Sequence, residues 1–138
     1  MGTLKIERPN QYLDFTRSYK ILLDGKIAGK INNGETKEFI IPEGKHSIKA
    51  KIDGFASRAC FVDIDDTIIK NIKVKPTYAI FIAVMIQNSS LALESLISIF
   101  FKINYFGFLY FPCLILLIIY IFTIGKNNHL IIEDLDKK

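Results

Sequence analysis

The sequence lacks tryptophan, and its 138 residues include only two cysteines and two histidines. Cys60 lies in a segment with the pattern of a strand, and Cys113 lies in the most apolar segment, so we do not expect them to pair. A domain without an internal disulfide fits a reducing compartment. The cysteines and histidines also lack the spacing of metal ligands, and we expect no metal and no other cofactor.

The sequence also lacks a catalytic pattern. It has no nucleophile placed with a base, no paired carboxylates and no glycine-rich phosphate loop. Asp63, Asp65 and Asp66 are close in sequence, but the glycine and the glutamate of a calcium-binding loop are missing. The net charge is +4 and the lysines are scattered, which does not favour nucleic-acid binding. We therefore predict a protein that is not an enzyme and has no nucleic-acid partner.

Charge is almost absent from one continuous stretch of the chain. Within residues 76–125 only Glu94 and Lys102 are charged, whereas charged residues are frequent before and after this stretch. Such a contrast indicates one region surrounded by water and another surrounded by lipid. The predicted organisation is a β-domain (1–75), a two-helix transmembrane hairpin (76–125) and a polar C-terminal tail (126–138).

Alternating apolar residues predict strands in the first region. In KHSIKAKI, His46, Ile48, Ala50 and Ile52 alternate with polar residues, as in a strand with one buried face. Short runs elsewhere have the same character, and the further predicted strands are 4–7, 19–23, 26–31, 38–41, 60–64 and 68–74. Short strands separated by frequent turns predict an all-β sandwich or barrel.

Glycine, proline, aspartate and asparagine separate these strands. Asp-Gly and Asn-Gly pairs tolerate the positive φ angles of tight hairpin turns, and proline followed by glycine favours a turn as well. The predicted turn residues are Asp24, Gly25, Asn33, Gly34, Pro42, Gly44, Asp53 and Gly54. His46 lies beside one of these turns, and we expect a structural role in which its ring bonds a backbone carbonyl.

Two motifs in this region carry a resemblance to a known family. The segment LLDGKIAGKI is followed by FIIPEGKHSIKAKIDGF, and together they resemble the PEGA domain family, which pairs an xDGxxxG hairpin with a PGxHxIxxxxxGY segment. The matching residues are Asp24, Gly25, Gly29, Pro42, Gly44, His46, Ile48, Gly54 and Phe55. The Thr-Pro that usually follows the third glycine is replaced by KINNGET. The resemblance implies an Ig- or prealbumin-like β-sandwich, often attached to membrane or envelope proteins and with a role in binding other molecules.

Two apolar segments predict the membrane hairpin. Residues 105–124 carry no charge and are long enough to cross about 30 Å of hydrocarbon. Residues 78–101 are also long enough, but Gln87, Asn88 and Glu94 make insertion marginal, and a helix in the interface plane is the alternative. Small and polar residues form one stripe on this first helix, which predicts a helix-packing face: Ala83, Gln87, Ser90, Glu94 and Ser98.

The positive residues near the two segments predict their orientation. Lys70, Lys73 and Lys75 precede the first segment and Lys126 follows the second, whereas the connection contains Lys102 alone. Lysine and arginine are enriched on the cytoplasmic side of membrane proteins. We therefore expect an integral protein of the cell (inner) membrane with both termini in the cytoplasm.

Together these patterns predict a membrane-anchored, non-enzymatic binding or interaction module. Its partners would be the lipid bilayer and either another protein or a second copy of the chain. Two alternatives remain open at this point. The protein could be a small transporter or membrane-complex subunit that uses Glu94 within the bilayer, or the β-domain could face outward and bind envelope polymers.

Overall fold

A computed structural model describes residues 1–102 and 110–136. The chain forms two compact units. The first contains residues 1–77 together with the described residues from Asn127 onward, and the second contains the described residues between Tyr78 and Lys126. The chain therefore leaves the first unit after Thr77 and returns to it at Asn127.

The first unit is a β-domain with nine strands in its described part. The seven segments that alternation predicts as strands are all present, and a two-residue strand and a C-terminal strand are added to them. The strands are β1 (Gly2–Glu7), β2 (Tyr19–Leu23), β3 (Lys26–Ile31), β4 (Thr36–Ile41), β5 (Gly44–Ile52), β6 (Phe55–Ala56), β7 (Cys60–Ile64), β8 (Ile69–Pro76) and β9 (Leu130–Asp134).

These strands form two sheets. The first has the order β4-β1-β8-β9, in which β1 and β8 are parallel and the other pairs are antiparallel. The second has the order β3-β2-β5, and both β6 and β7 pair with β5. A two-sheet β-domain is thus confirmed, while the Ig- or prealbumin-like assignment stays a prediction.

Side chains from both sheets form a single apolar core. Burial follows the alternation that the sequence shows: in β5, Ile48, Ala50 and Ile52 are buried, whereas Lys51 between them is exposed. The first sheet contributes residues such as Leu4, Ile6 and Ile72 to the same core. Removing these branched side chains from water is the main favourable contribution to the stability of the domain.

The C-terminal segment, predicted as a polar tail, contributes a strand to the β-domain. Residues 130–134 form β9, which pairs antiparallel with β8 from Leu130 opposite Pro76 to Asp134 opposite Ile72. Leu130 is only 2% exposed and belongs to the core. An apolar run of three residues, LII, is too short to show a period, and its partner strand lies more than fifty residues earlier. The described residues from Asn127 onward therefore belong to the same compact unit as residues 1–77.

The second unit contains two helices, α1 (Ala79–Phe101) and α2 (Tyr110–Thr123), and a 3-10 turn (Gly125–Asn127) follows where the chain returns to the first unit. Two helical segments, Ala79–Phe101 and Tyr110–Asn127, are long and apolar enough to cross a membrane, and only 6% of the residues in the most apolar window of each are buried. The helices contact each other and form a hairpin, with Gly125 lying against Ile80 near the start of α1. Residues 105–109 of the second predicted span lie outside the described residues.

Candidate functional site

Two polar side chains of α1 are buried against the beginning of α2. The Gln87 Nε2 group donates to the backbone oxygen of Tyr110 over 3.0 Å, and the Glu94 carboxylate accepts from the Tyr110 backbone N–H over 2.9 Å. A buried polar side chain is costly unless it is hydrogen-bonded, and these two contacts satisfy Gln87 and Glu94 on the other helix. Gln87 and Glu94 therefore join the two helices at one residue.

The other members of the predicted packing face behave differently. Ala83 and Ser90 line an open groove of about 570 Å³ between the helices, opposite Cys113 and Leu116. The Ser90 hydroxyl donates to the Gln87 carbonyl within α1, and the Ser98 hydroxyl donates to the Ser95 carbonyl. Cross-helix hydrogen bonds thus come from Gln87 and Glu94, while the two serines satisfy their hydroxyls on their own helix.

A second group of polar residues surrounds the turn between β2 and β3. Asp24 and Gly25 have φ angles of 49° and 81°, the signs that a two-residue type I′ turn requires. One Asp24 carboxylate oxygen accepts from the backbone N–H of Ser47 over 2.8 Å and from its hydroxyl over 3.2 Å. The turn is thereby bonded to the beginning of β5.

His46 bridges this turn and the turn at residues 42–44, which precedes β5. Its Nδ1 lies 2.7 Å from the second Asp24 carboxylate oxygen, and its Nε2 lies 3.0 Å from the Pro42 carbonyl oxygen. Both neighbours accept hydrogen bonds, so the ring donates to both only when it is protonated. The hydrogen bond to Asp24 accordingly raises the pKa of His46, while the hydrogen bonds from His46 and Ser47 lower the pKa of Asp24. The arrangement holds two turns together, and His46 bonds a backbone carbonyl as expected from the sequence.

The remaining predicted turn residues lie in three other loops. Gly34 and Gly44 have φ angles of 72° and 120°, whereas in the Asp53-Gly54 turn the positive φ belongs to Asp53. The Asp53 carboxylate also accepts from Arg17 over 2.6 Å. The Asn33 side chain bonds the backbone of Gln11 through both its amide and its carbonyl group and so connects two loops.

Sequence analysis missed a buried charged cluster in the same domain. Arg8 is fully buried, and its guanidinium carbon lies 3.6 Å from the centre of the Tyr19 ring. Its two terminal nitrogens donate to the carbonyls of Arg17 and Asp14 over 2.6 and 2.7 Å. Burial lowers the pKa of Arg8, and electrostatic interactions with Tyr19 and Asp14 offset part of this decrease. Burial also raises the pKa of Tyr19 to about 12.

Asp14 connects this cluster to the C-terminal segment. Its carboxylate accepts from Nε2 of His129 over 3.0 Å and from the Tyr19 hydroxyl over 3.4 Å. The centre of the His129 ring lies 5.0 Å from the centre of the Phe55 ring. His129 is 115 residues from Asp14 in the chain, so no local pattern could have indicated that contact. Their contacts hold the N-terminal loop and the residue before β9 together.

The β-domain also has a shallow groove next to β9. It has a volume of about 460 Å³ and is lined by Arg58, Cys60, Thr77 and the first residues of β9. Arg58 donates to the Asn128 side chain over 2.7 Å at its rim. Across the described ranges 1–102 and 110–136, no group of three or more histidine, cysteine, aspartate or glutamate residues could hold a metal ion.

No family model matches the chain, and neither a curated protein nor a solved structure matches it. The resemblance to the PEGA domain family stays a prediction.

Proposed function

We propose that this protein is a membrane-anchored, non-enzymatic interaction module. In this proposal α1 and α2 cross the membrane as a hairpin, and the β-domain binds a protein partner. The observation that carries the proposal is the position of the hairpin, which is inserted between two paired strands, β8 and β9, of one folded domain.

The pairing of β8 with β9 restricts how often the chain crosses a membrane. The Thr77 N–H donates to the His129 carbonyl over 2.7 Å, so the residues that precede and follow the hairpin lie on the same side. A single crossing would place them in different compartments. Insertion of α2 therefore requires a second crossing by α1. This supports two spans over an α1 that lies in the interface plane.

The burial of the polar residues of α1 supports its insertion. Gln87 and Glu94 are its two buried residues, and both bond the backbone of Tyr110 rather than facing lipid. Ionisable residues at membrane depth are costly unless they face protein partners. Under this proposal Glu94 is a packing residue and not part of an ion pathway.

Glu94→Gln keeps an acceptor oxygen and should leave assembly and phenotype intact. Loss of a transport activity with normal assembly would contradict the packing role of Glu94.

The lysines near the hairpin support an orientation with the β-domain in the cytoplasm. Lys70 and Lys75 form ion pairs with Asp134 and Glu133 of β9. Acidic residues contribute little to the positive-inside rule, so these pairs do not weaken the bias. Lys102 is alone at the other end of α1. The proposal therefore places both termini on the cytoplasmic side of the cell membrane.

The edge of the second sheet supports a binding role for the β-domain. In the described part of the chain β7 pairs with β5 alone, which leaves its other edge open. Phe61 of β7 is 75% exposed. An open strand edge offers backbone donors and acceptors to an added strand, and an exposed aromatic side chain adds apolar contact. We propose that the β7 edge binds an extended segment of a partner protein.

Extraction and labelling of the full chain test the anchor and its orientation. The protein should remain with vesicles after an alkaline carbonate wash. In a variant with both native cysteines replaced by alanine, Ser18→Cys should react with a membrane-impermeant thiol reagent only after cells are permeabilised. Release of the protein by carbonate would contradict the proposed membrane anchor. Reaction on intact cells would reverse the orientation and favour binding of envelope polymers.

Capture from gently solubilised membranes tests the binding role. A partner should be retained by the unchanged protein and lost with Phe61→Ser. Ile27→Ser is the matched control, because Ile27 is also an exposed apolar residue but lies on β3. Failure to capture any reproducible partner, or equal loss with both variants, would count against the β7 edge.

A further inference from the structure

A second polar position of α1 is exposed on a different side from Gln87 and Glu94. Asn88 follows Gln87 and is therefore rotated about 100° from it around the helix. Its side chain is exposed, and its amide nitrogen donates to the Val84 carbonyl of the same helix over 2.9 Å. Among the described residues, no donor reaches the side-chain oxygen of Asn88. Asn88 thus presents an unused acceptor on the outside of the hairpin.

The depth of Asn88 makes this exposure costly. It lies nine residues after the first residue of α1 and thirteen before the last. At about 1.5 Å per residue, these distances are roughly 14 and 20 Å. In a spanning helix Asn88 is therefore inside the hydrocarbon, where no water satisfies its carboxamide and lipid tails offer no hydrogen bond.

The residues around Asn88 form a seam with a heptad spacing. Alternate steps of four and three residues along α1 connect Phe81, Met85, Asn88, Ala92, Ser95 and Ile99. All six are exposed or half-exposed, and we call them the Asn88 seam. Ala92 and Ser95 are small, which permits a close approach of a second helix beside Asn88. A repeat of 3.5 residues is typical of helices that cross left-handedly at about 20°.

We propose that the Asn88 seam is a self-association surface, on which α1 of one copy packs against α1 of a second copy. This inference rests on the proposed membrane insertion. All copies insert in the same orientation, so the two Asn88 side chains of a dimer lie at the same depth. A carboxamide both donates and accepts, and two of them satisfy each other across a two-fold axis. An unrelated helix would need a matching polar group at that depth.

Self-association through this seam would also serve the proposed binding role. A dimer carries two β-domains, and hence two β7 edges. Binding the second edge to a linked or repeated partner becomes an intramolecular step, which strengthens the overall association without any new contact.

Cysteine cross-linking of the full chain in membranes tests the position of the seam. In a variant whose native cysteines are replaced by alanine, Ala92→Cys and Ser95→Cys should each give a disulfide-linked dimer on mild oxidation. Leu93→Cys and Ile97→Cys are the controls, because both positions are exposed and neither is three or four residues from a seam residue. Equal linking at all four positions, no linking at any, or linking to a different protein would overturn the inference.

Measurement of the dimer dissociation constant in lipid vesicles tests the role of Asn88. By energy transfer between labelled copies, Asn88→Leu should weaken dimerisation by about fivefold to thirtyfold, as expected for loss of hydrogen bonds between membrane helices. Leu93→Ala is the control, since Leu93 is exposed and is neither three nor four residues from any seam residue, and it should leave the constant unchanged. An Asn88→Leu protein that dimerises like the unchanged chain would refute the pairing.

A carbonate wash of the same vesicles separates the two proposals. A monomeric protein that stays with the vesicles would overturn the self-association surface and leave the membrane anchor standing. A protein released by the wash would overturn the anchor itself.

Discussion

At the scale of single residues, the His46 ring joins two turns through hydrogen bonds. The ring donates to the Asp24 carboxylate and to the Pro42 carbonyl, and both contacts are complete only for the protonated ring. The folded protein therefore raises the pKa of His46 above its ordinary value of 6.5 and lowers that of Asp24 below 3.8. Each shift means that folding favours the charged form of that group.

The stability of the β-domain should consequently depend on pH through this pair. The contribution of His46 is complete below pH 6.5 and is lost as the pH rises through the raised pKa of His46. The contribution of Asp24 is complete above pH 3.8 and is lost as the pH falls through its lowered pKa. The pair therefore stabilises the fold most between these two values.

Thermal unfolding followed by circular dichroism checks this dependence. We expect the midpoint of the unchanged protein to fall between pH 6 and pH 8.5 by more than that of His46→Ala, since the variant has lost the titrating ring. Asp24→Asn should flatten the profile in the same way, because the amide no longer carries the charge that favours protonation. Parallel profiles for all three proteins would show that the pair does not couple to folding.

The buried cluster shows the limit of sequence reasoning at this scale. His46 could be noticed because it stands beside a turn in an alternating strand. Arg8 and Asp14 lie in an irregular segment, and their partners Tyr19 and His129 are identified only by contact. A residue without a periodic pattern and with a partner over one hundred residues away leaves no signal in the sequence.

At the scale of elements, β9 contributes both to the core and to the edge of the first sheet. Leu130 is 2% exposed, whereas its neighbour Ile131 is 39% exposed on the same strand. Burial alternates along a strand, so two adjacent residues of similar size differ mainly in their contact with the core.

Substitution of these neighbours measures how firmly β9 is part of the domain. Leu130→Ala should lower the free energy of unfolding by about 2–5 kcal/mol, since it leaves a cavity in the core. Ile131→Ala should cost about 1 kcal/mol or less. Denaturant titration of the two variants provides the comparison, and similar costs for both would mean that β9 is not packed as the structure has it.

Prediction from the sequence succeeded for elements whose pattern is local. The strands β1–β5, β7 and β8 were predicted because a strand with one buried face alternates in sequence. The helix α1 was predicted from apolar length, and α2 agrees with the second apolar segment where that segment is described. β9 was not predicted, because three apolar residues at the end of a polar segment become a strand only when β8 offers an edge.

At the scale of the whole molecule, the hairpin is an insertion in a β-domain. Thr77 and His129 are hydrogen-bonded neighbours although about fifty residues separate them in the chain. The core of the β-domain is formed by residues from the first unit alone. The domain should therefore fold without the helices if the two chain ends are joined.

Replacement of residues 78–126 by a flexible linker of about four residues tests this independence. We expect a protein that is soluble without detergent, has the circular dichroism of a β-domain and unfolds cooperatively. The control is residues 1–77 alone, which lack β9 and should be markedly less stable, because the edge of β8 and the site of Leu130 are exposed. An aggregated linker protein, or equal stability of the two, would contradict the insertion.

The sequence alone determined that a long, nearly uncharged stretch follows a charged one, and it determined the strands with alternating faces, the turns and the two apolar helices. Each of these follows from residues close together in the chain, where periodicity and length express the physics directly. Only the tertiary structure decided that the last strand returns to the first sheet, that Arg8, Asp14, Tyr19 and His129 form one cluster, and that Gln87 and Glu94 meet the start of α2. These features depend on contacts between distant residues, and such contacts exist only after the chain has folded.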